Sequence, residues 1–239
     1  NAFNKLIYGN NNIRSNNILG TLKSIKSITL EDVQLFYSNN ISPSVAKMLV
    51  VGNIDKNEVL SSLASLNLKW KAKQINIPEY KTPNPPSKSI VYFFDIPNAK
   101  QSVLRFGSPA LAATENDYYP ATMMNYILGG GGFASRLTQE LREGKGYTYG
   151  VNSRFSGSKA KGTFSISTGV RSNVTLESAL LIKKILKDYS KTYSEKDLKT
   201  SKGYLIKSNA RAFETSRAKL RMLSNICLLY TSDAADDRS

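Results

Sequence analysis

Four consecutive glycines, Gly129–Gly132, constrain this chain more than any other stretch. Glycine has no Cβ and is worth about 1 kcal/mol less than alanine in a helix interior. The run therefore predicts a break between the apolar helix before it and a new helix starting near Ala134. That second helix is amphipathic: Leu137 and Leu141, four apart, share one face, while Arg136, Gln139, Glu140 and Arg142 ride the others. Gly144 or Gly146 ends it. Tyr147, Tyr149 and Val151 then alternate with Thr148, Gly150 and Asn152, the period of a half-buried strand. Arg142 and Tyr149 thus flank one tight turn, close enough to converge on a common ligand.

Written out, the segment runs Gly129 to Gly132, Ser135-Arg136-Leu137, then Leu141-Arg142-Glu143-Gly144-Lys145-Gly146-Tyr147-Thr148-Tyr149. It resembles the second-domain signature of the pitrilysin/insulysin family, the inverted zinc metallopeptidases that include the mitochondrial processing peptidase. The family pattern is a glycine run, Ser-Arg-Leu, and Leu-Arg-Glu-x-x-Gly-Leu-x-Tyr. Tyr147 stands where the family usually has Leu, which leaves the Arg-to-Tyr spacing intact. The resemblance extends to Tyr8-Gly9, Val50-Val51-Gly52 and Tyr118-Tyr119-Pro120, and so covers nearly the whole chain up to about Ile226. It implies that Arg142 binds a substrate backbone carbonyl and that Tyr149 donates a hydrogen bond to the developing oxyanion. Gly129, Gly130, Gly131, Gly132, Ser135 and Arg136 would complete the substrate-binding surface. A donor aimed at a developing oxyanion is worth ~3 kcal/mol in the transition state. Read without the resemblance, Arg142 is a surface helix residue paired to Glu143 or Glu140, and Tyr149 a sheet residue.

The chain contains no histidine. A His-x-x-Glu-His helix, the zinc motif of this family, cannot exist in it, and neither can a histidine-based triad. Glu115, Asp117 and Asp95 read as caps and turns rather than metal ligands. The resemblance therefore places zinc in a half upstream of this chain, and no cofactor in the chain itself. The glycine run is not a phosphate loop, because a helix precedes it and no Gly-Lys-Ser/Thr follows. A single cysteine, Cys227, excludes an internal disulfide framework. The formal net charge of +15 invites a nucleic-acid reading, but the Lys and Arg residues are scattered and no recognition motif accompanies them. No run approaches the ~18 apolar residues of a membrane span.

In order, Asn1 to Ser27 is polar and reads as a loop. Thr29 with Asp32 three residues on opens a helix through Val33, Phe36 and Tyr37 that stops near Asn40. Ser44 to Val51 is a nearly unbroken apolar run suited to a sheet interior. Asp55 caps a second helix with Val59, Leu60, Leu63 and Leu66 as its stripe. Residues 71–88 hold four of the eight prolines and read as an interdomain linker. Beyond them, Ile90 to Phe94 and Gln101 to Gly107 suggest an antiparallel pair through Pro97-Asn98-Ala99, and Thr114 with Asp117 opens a helix. Phe164, Ile166, Thr168 and Val170 share one strand face that pairs with the strand of Tyr149. Asn173 caps a long helix to about Tyr189, and Ser194 with Asp197 caps another.

The expected fold is α+β, helices packed on a largely antiparallel sheet, in tandem related domains that are both incomplete here. Residues 1–70 would close a first domain of the metal-bearing type, and 89–226 would form a second, substrate-binding domain lacking its end. Residues 227–239, CLLYTSDAADDRS, look like a non-native tail. The function implied is the non-metal-binding, substrate-binding C-terminal half of a zinc-dependent endopeptidase that encloses peptides. A non-catalytic partner or scaffold subunit of the same family is the alternative. Its partners would be a peptide substrate and the missing N-terminal half or a partner subunit, with neither nucleic acid nor a membrane span. The resemblance suggests a bacterial periplasm or cell envelope.

Overall fold

The structure, a computed structural model, describes residues 2–79, 82 and 84–229. Its first half holds four helices: α1 (Ala2–Tyr8), α2 (Leu22–Ser27), α3 (Leu30–Asn40) and α4 (Lys56–Lys69). Strand β1 (Gln101–Pro109) leads to α5 (Tyr118–Asn125), which widens into a π-type turn over Tyr126–Gly130. Helix α6 (Arg136–Thr138) likewise widens over Gln139–Gly144. Strands β2 (Thr148–Phe155) and β3 (Thr163–Arg171) follow, then α7 (Thr175–Thr192), α8 (Glu195–Ala210) and α9 (Ser216–Leu229). Two compact units result, one from the described residues of 1–15 and 82–209, the other from those of 16–81 and 210–239.

In the first unit, the described residues form one antiparallel sheet of order β1-β3-β2, with α5, α6 and α7 packed on its core face and α1 against β1 at Gly107 and Arg105 on the other. Ile166 and Val170 of β3 turn inward with Phe164 and Thr168, as their alternation predicts. Ile166, with Phe164 packed beside it, joins Leu137 and Leu141, both fully buried, and Ile182 of α7 in one core cluster. Burying each such side chain contributes roughly 1.5–3 kcal/mol. The outer face carries Arg105, Asn152, Arg154 and Ser167, all polar. The fold is therefore α+β, with helices on a small antiparallel sheet.

The second unit rests on local signals that are plain in the sequence. Thr29 accepts from the Asp32 amide while the Asp32 carboxylate accepts from the Thr29 amide at 2.8 Å, the reciprocal cap expected there. Helix α3 ends at Asn40, and Asp55 caps α4 by accepting from Asn57 at 2.7 Å. Buried Ser42 accepts from the Lys73 amide and donates to its carbonyl, both at 2.9 Å.

Several expectations are corrected. Residues 46–51 form no strand: Pro43–Val45 is a short 3-10 turn and the chain beyond it is irregular. Ile90–Phe94 forms no strand either, although Asn98, at φ 61°, does make the turn before β1. An apolar run permits a strand but does not supply a ladder partner; β1 spends its pairing on β3, from Gln101↔Arg171 to Pro109↔Thr163. The N-terminal stretch read as a loop contains α1 and α2. Phe3 of α1 sits against Gly107, whose missing Cβ leaves room for the ring, and Thr21 forms a capping box with Ser24. Thr114 and Asn173 do not cap: α5 starts at Tyr118, while Asn173 lies inside the 3-10 turn Ser172–Val174. Tyr118 packs edge-on against Phe155 and Tyr126 stacks on Tyr204, whereas Tyr119 is exposed. Within the Pro-rich stretch 71–88, residues 80, 81 and 83 lie outside the described residues. Of 227–239, the first three close α9, and 230–239 lie outside the described residues.

Candidate functional site

The glycine run is built against the sheet. A Cβ on buried Gly129 would stand 2.8 Å from the Ser153 amide nitrogen and 2.8 Å from Leu137 Cδ1, so only glycine lets the turn touch β2. Asn125 and Ser153 lock that contact. Asn125 Nδ2 donates to the Ser153 carbonyl at 2.9 Å, and Ser153 Oγ donates to Asn125 Oδ1 at 2.5 Å. Gly132, at φ 59°, adopts the left-handed conformation that turns the chain into Ser135 and α6.

Ser135 is fully buried, donating to the Gly132 carbonyl at 2.7 Å and bonded to Thr138 Oγ1 at 3.0 Å. Arg136 pairs with Asp197 at 2.6 Å, bonds to Thr192 and lies over the Tyr189 ring at 5.0 Å. Burial works against the charge of Asp197. The Ser194 N–H and hydroxyl together with the Arg136 guanidinium outweigh it, and hold the carboxyl below its ordinary range. Burial also pushes the Tyr189 phenol well up. Gly129, Ser135 and Arg136 therefore join the turn to the core and to α7 and α8. Gly130 and Gly132 are at the surface, and Gly131 rests against Tyr126.

Arg142 and Tyr149 do come together. The Arg142 guanidinium lies 5.3 Å from the Tyr149 ring centroid and 4.5 Å from that of Phe133. Its Nε faces Glu143 at 3.6 Å, the pairing foreseen from sequence. Among the described residues, no hydrogen bond engages its terminal nitrogens or the Tyr149 hydroxyl. Tyr149 is 91% exposed, and a bulge explains why. Thr148 pairs with Val170 and Val151 with Thr168, so three steps along β2 match two along β3. Thr148 and Val151 both face inward, and Tyr149 and Gly150 are displaced to the surface. The Thr148 hydroxyl bridges the bulge, donating to the Gly169 carbonyl at 2.6 Å and accepting from the Gly150 amide at 3.0 Å. Alternation alone put Tyr149 on the face of Val151; the neighbouring glycine was the one signal of a bulge. An open depression beside Tyr149 is lined by Gly146, Tyr147, Gln101 and Arg171. Phe133 and Arg171 were not singled out from sequence.

The arrangement offers neutral and cationic donors to an oxygen acceptor. Among the described residues, no group of three or more His, Cys, Asp or Glu is placed to hold a metal ion. The Arg, Tyr and backbone amide donors present do not fit a zinc site.

Residues 27–205 match the family described as the peptidase M16 inactive domain. A crystal structure of a peptidase M16 inactive domain from Pseudomonas fluorescens superposes with a TM-score of 0.82 at 25% identity, over 96% of this chain and 54% of that one. A non-peptidase homolog, YmxG, from Helicobacter pylori is 26% identical over 214 residues, 88% of this chain and 48% of its own length. An uncharacterized zinc protease, YmxG, from Bacillus subtilis is 26% identical over 220 residues, 90% of this chain and 51% of its own length. The chain thus spans about half the length of these relatives. It belongs to the M16 peptidase family, homologous to the pitrilysin/insulysin zinc proteases, and corresponds to the inactive, C-terminal domain that lacks the metal motif.

Proposed function

We propose that this chain is the substrate-binding half of a zinc-dependent endopeptidase that encloses peptides, with the metal held by a related, preceding half. The observation that carries the reading is the Arg142–Tyr149 pair: two hydrogen-bond donors in ring contact, with no hydrogen-bonding partner among the described residues for the Arg142 terminal nitrogens or the Tyr149 hydroxyl. Arg142 takes a backbone carbonyl of the substrate, and Tyr149 donates its hydroxyl proton to the oxyanion that develops on the attacked carbonyl. Gly129–Gly132, Ser135 and Arg136 hold the turn that brings the pair together, with the exposed Gly130 and Gly132 beside the peptide. In this reading the domains are tandem, residues 71–88 link them, and residues 227–239 are not native to the protein.

The test is a titration with a fluorescein-labelled, uncharged peptide of Ala, Thr and Val residues. Arg142→Lys keeps the charge but loses the planar fork of donors, so its affinity should fall about tenfold, equivalent to ~1.4 kcal/mol. Equal affinity in both proteins would remove Arg142 from the substrate. The second reading, a non-catalytic partner subunit, is favoured by the likeness to a non-peptidase homolog. It predicts peptide binding without turnover even when the complete protein is assembled.

A further inference from the structure

Phe133 holds an unusual position for an apolar residue. It sits in the short turn Gly132–Ala134 with 66% of its surface exposed, so burial is not what keeps it there. Its ring lies instead under the Arg142 guanidinium, at 4.5 Å from centroid to Cζ, a cation–π distance. The Tyr149 ring meets the same guanidinium at 5.3 Å. Although Arg142 lies at a surface turn, the two contacts leave only 29% of its side chain exposed. Three backbone features aim the phenyl ring. Gly131 rests on Tyr126, Gly132 takes the left-handed conformation, and Gln139 Nε2 donates to the Phe133 carbonyl at 2.5 Å. Gln139 lies three residues before Arg142 in the same helical segment, so this bond ties the turn carrying Phe133 to the one carrying Arg142.

We propose that Phe133 is a positioning residue: it clamps the Arg142 guanidinium against Tyr149, so that the terminal N–H groups of Arg142 and the Tyr149 hydroxyl are presented together to one extended peptide. The clamp stands on the geometry alone, whereas its consequence for peptide rests on the substrate role proposed above. A free arginine loses rotamer freedom when it binds; one already held between two rings loses less, and the difference appears as affinity. On this account the glycine run also acts at a distance, by aiming Phe133.

The experiment follows the Arg142 Nε–Hε signal in nitrogen-15 NMR spectra of the 239-residue chain, with affinity for the same labelled peptide measured in parallel. Phe133→Leu keeps apolar bulk and removes the ring face; Phe133→Tyr restores the face. In the wild type and in Phe133→Tyr the signal should be ring-shifted and protected from exchange. In Phe133→Leu it should move towards the position of a free arginine. Peptide affinity should fall about fivefold in Phe133→Leu, the size of an exposed cation–π contact, and recover in Phe133→Tyr. It should not fall further when Phe133→Leu is added to Arg142→Ala, because the two act as a unit. Should Phe133→Leu misfold, Gln139→Ala frees the same turn and is read the same way. A signal that stays in place in a folded variant overturns the clamp, whatever the peptide does. A signal that moves while peptide affinity is unchanged upholds the clamp and overturns the substrate role of Arg142 instead.

Discussion

Replacing Gly129 by alanine tests how tightly the glycine run is built against the sheet. The added Cβ would fall 2.4 Å from Ser153 Oγ and 2.8 Å from both the Ser153 nitrogen and Leu137 Cδ1. One neighbour is backbone of β2, and another is a fully buried leucine, so neither can turn away. Overpacking of this kind costs about 1–3 kcal/mol. Displacing Ser153 Oγ also weakens its buried bond to Asn125, worth about 1 kcal/mol. Against this, alanine is better than glycine in a helical turn by about 1 kcal/mol. The net loss should be about 1–3 kcal/mol, or roughly 2–12 °C in melting temperature for a chain of this length. Urea unfolding with an unchanged m-value would isolate the effect. Gly150→Ala is the control, since a Cβ there meets nothing within 4 Å. A Gly129→Ala variant within about 0.5 kcal/mol of wild type, the range of an inert surface change, would refute the packing of the run on β2.

Other outcomes follow from the same structure. The folded-state pKa of Asp197 is depressed, so its capping and pairing contribute fully above the ordinary carboxylate pKa of about 3.9 and are lost as pH falls through the lower folded value. Asp197→Asn should flatten the acid limb of a stability–pH profile, and an unchanged limb would place the acid sensitivity elsewhere. With no histidine and no cluster of ligating side chains among the described residues, the purified chain should neither retain zinc through dialysis nor cleave peptides. Metal analysis and a hydrolysis assay check this, and stoichiometric zinc with turnover would contradict it.

What the sequence showed, and what it hid, divides along the range of the interactions. Reciprocal caps at Thr29–Asp32 and Ser194–Asp197 were legible because the partners sit three residues apart. So were the shared face of Leu137 and Leu141 and the inward row of β3, where periodicity alone carries the information. The strands expected at 44–51 and 90–94 depended on partners that local pattern cannot name. Asn173 had a capping side chain, yet Ser172–Val174 tightened into a 3-10 turn, with Thr175 donating to the Ser172 carbonyl. At the site, the Arg142-to-Tyr149 spacing was visible, but the extra residue in β2 that lifts Tyr149 to the surface was not. Phe133 escaped notice because a lone apolar residue in a glycine turn has no periodic context. Only the folded turn brings its ring under the Arg142 guanidinium.

The most direct test of the proposed function is the kcat of Tyr149→Phe, measured in a complete protein that includes the proposed metal-bearing half. The substitution removes one hydroxyl from a side chain that is 91% exposed and has no hydrogen-bonding partner among the described residues, so stability should barely change. Loss of a donor to the developing oxyanion should lower kcat by about 10²-fold. Wild-type turnover in Tyr149→Phe would contradict the account and leave Tyr149 as a surface residue of the sheet.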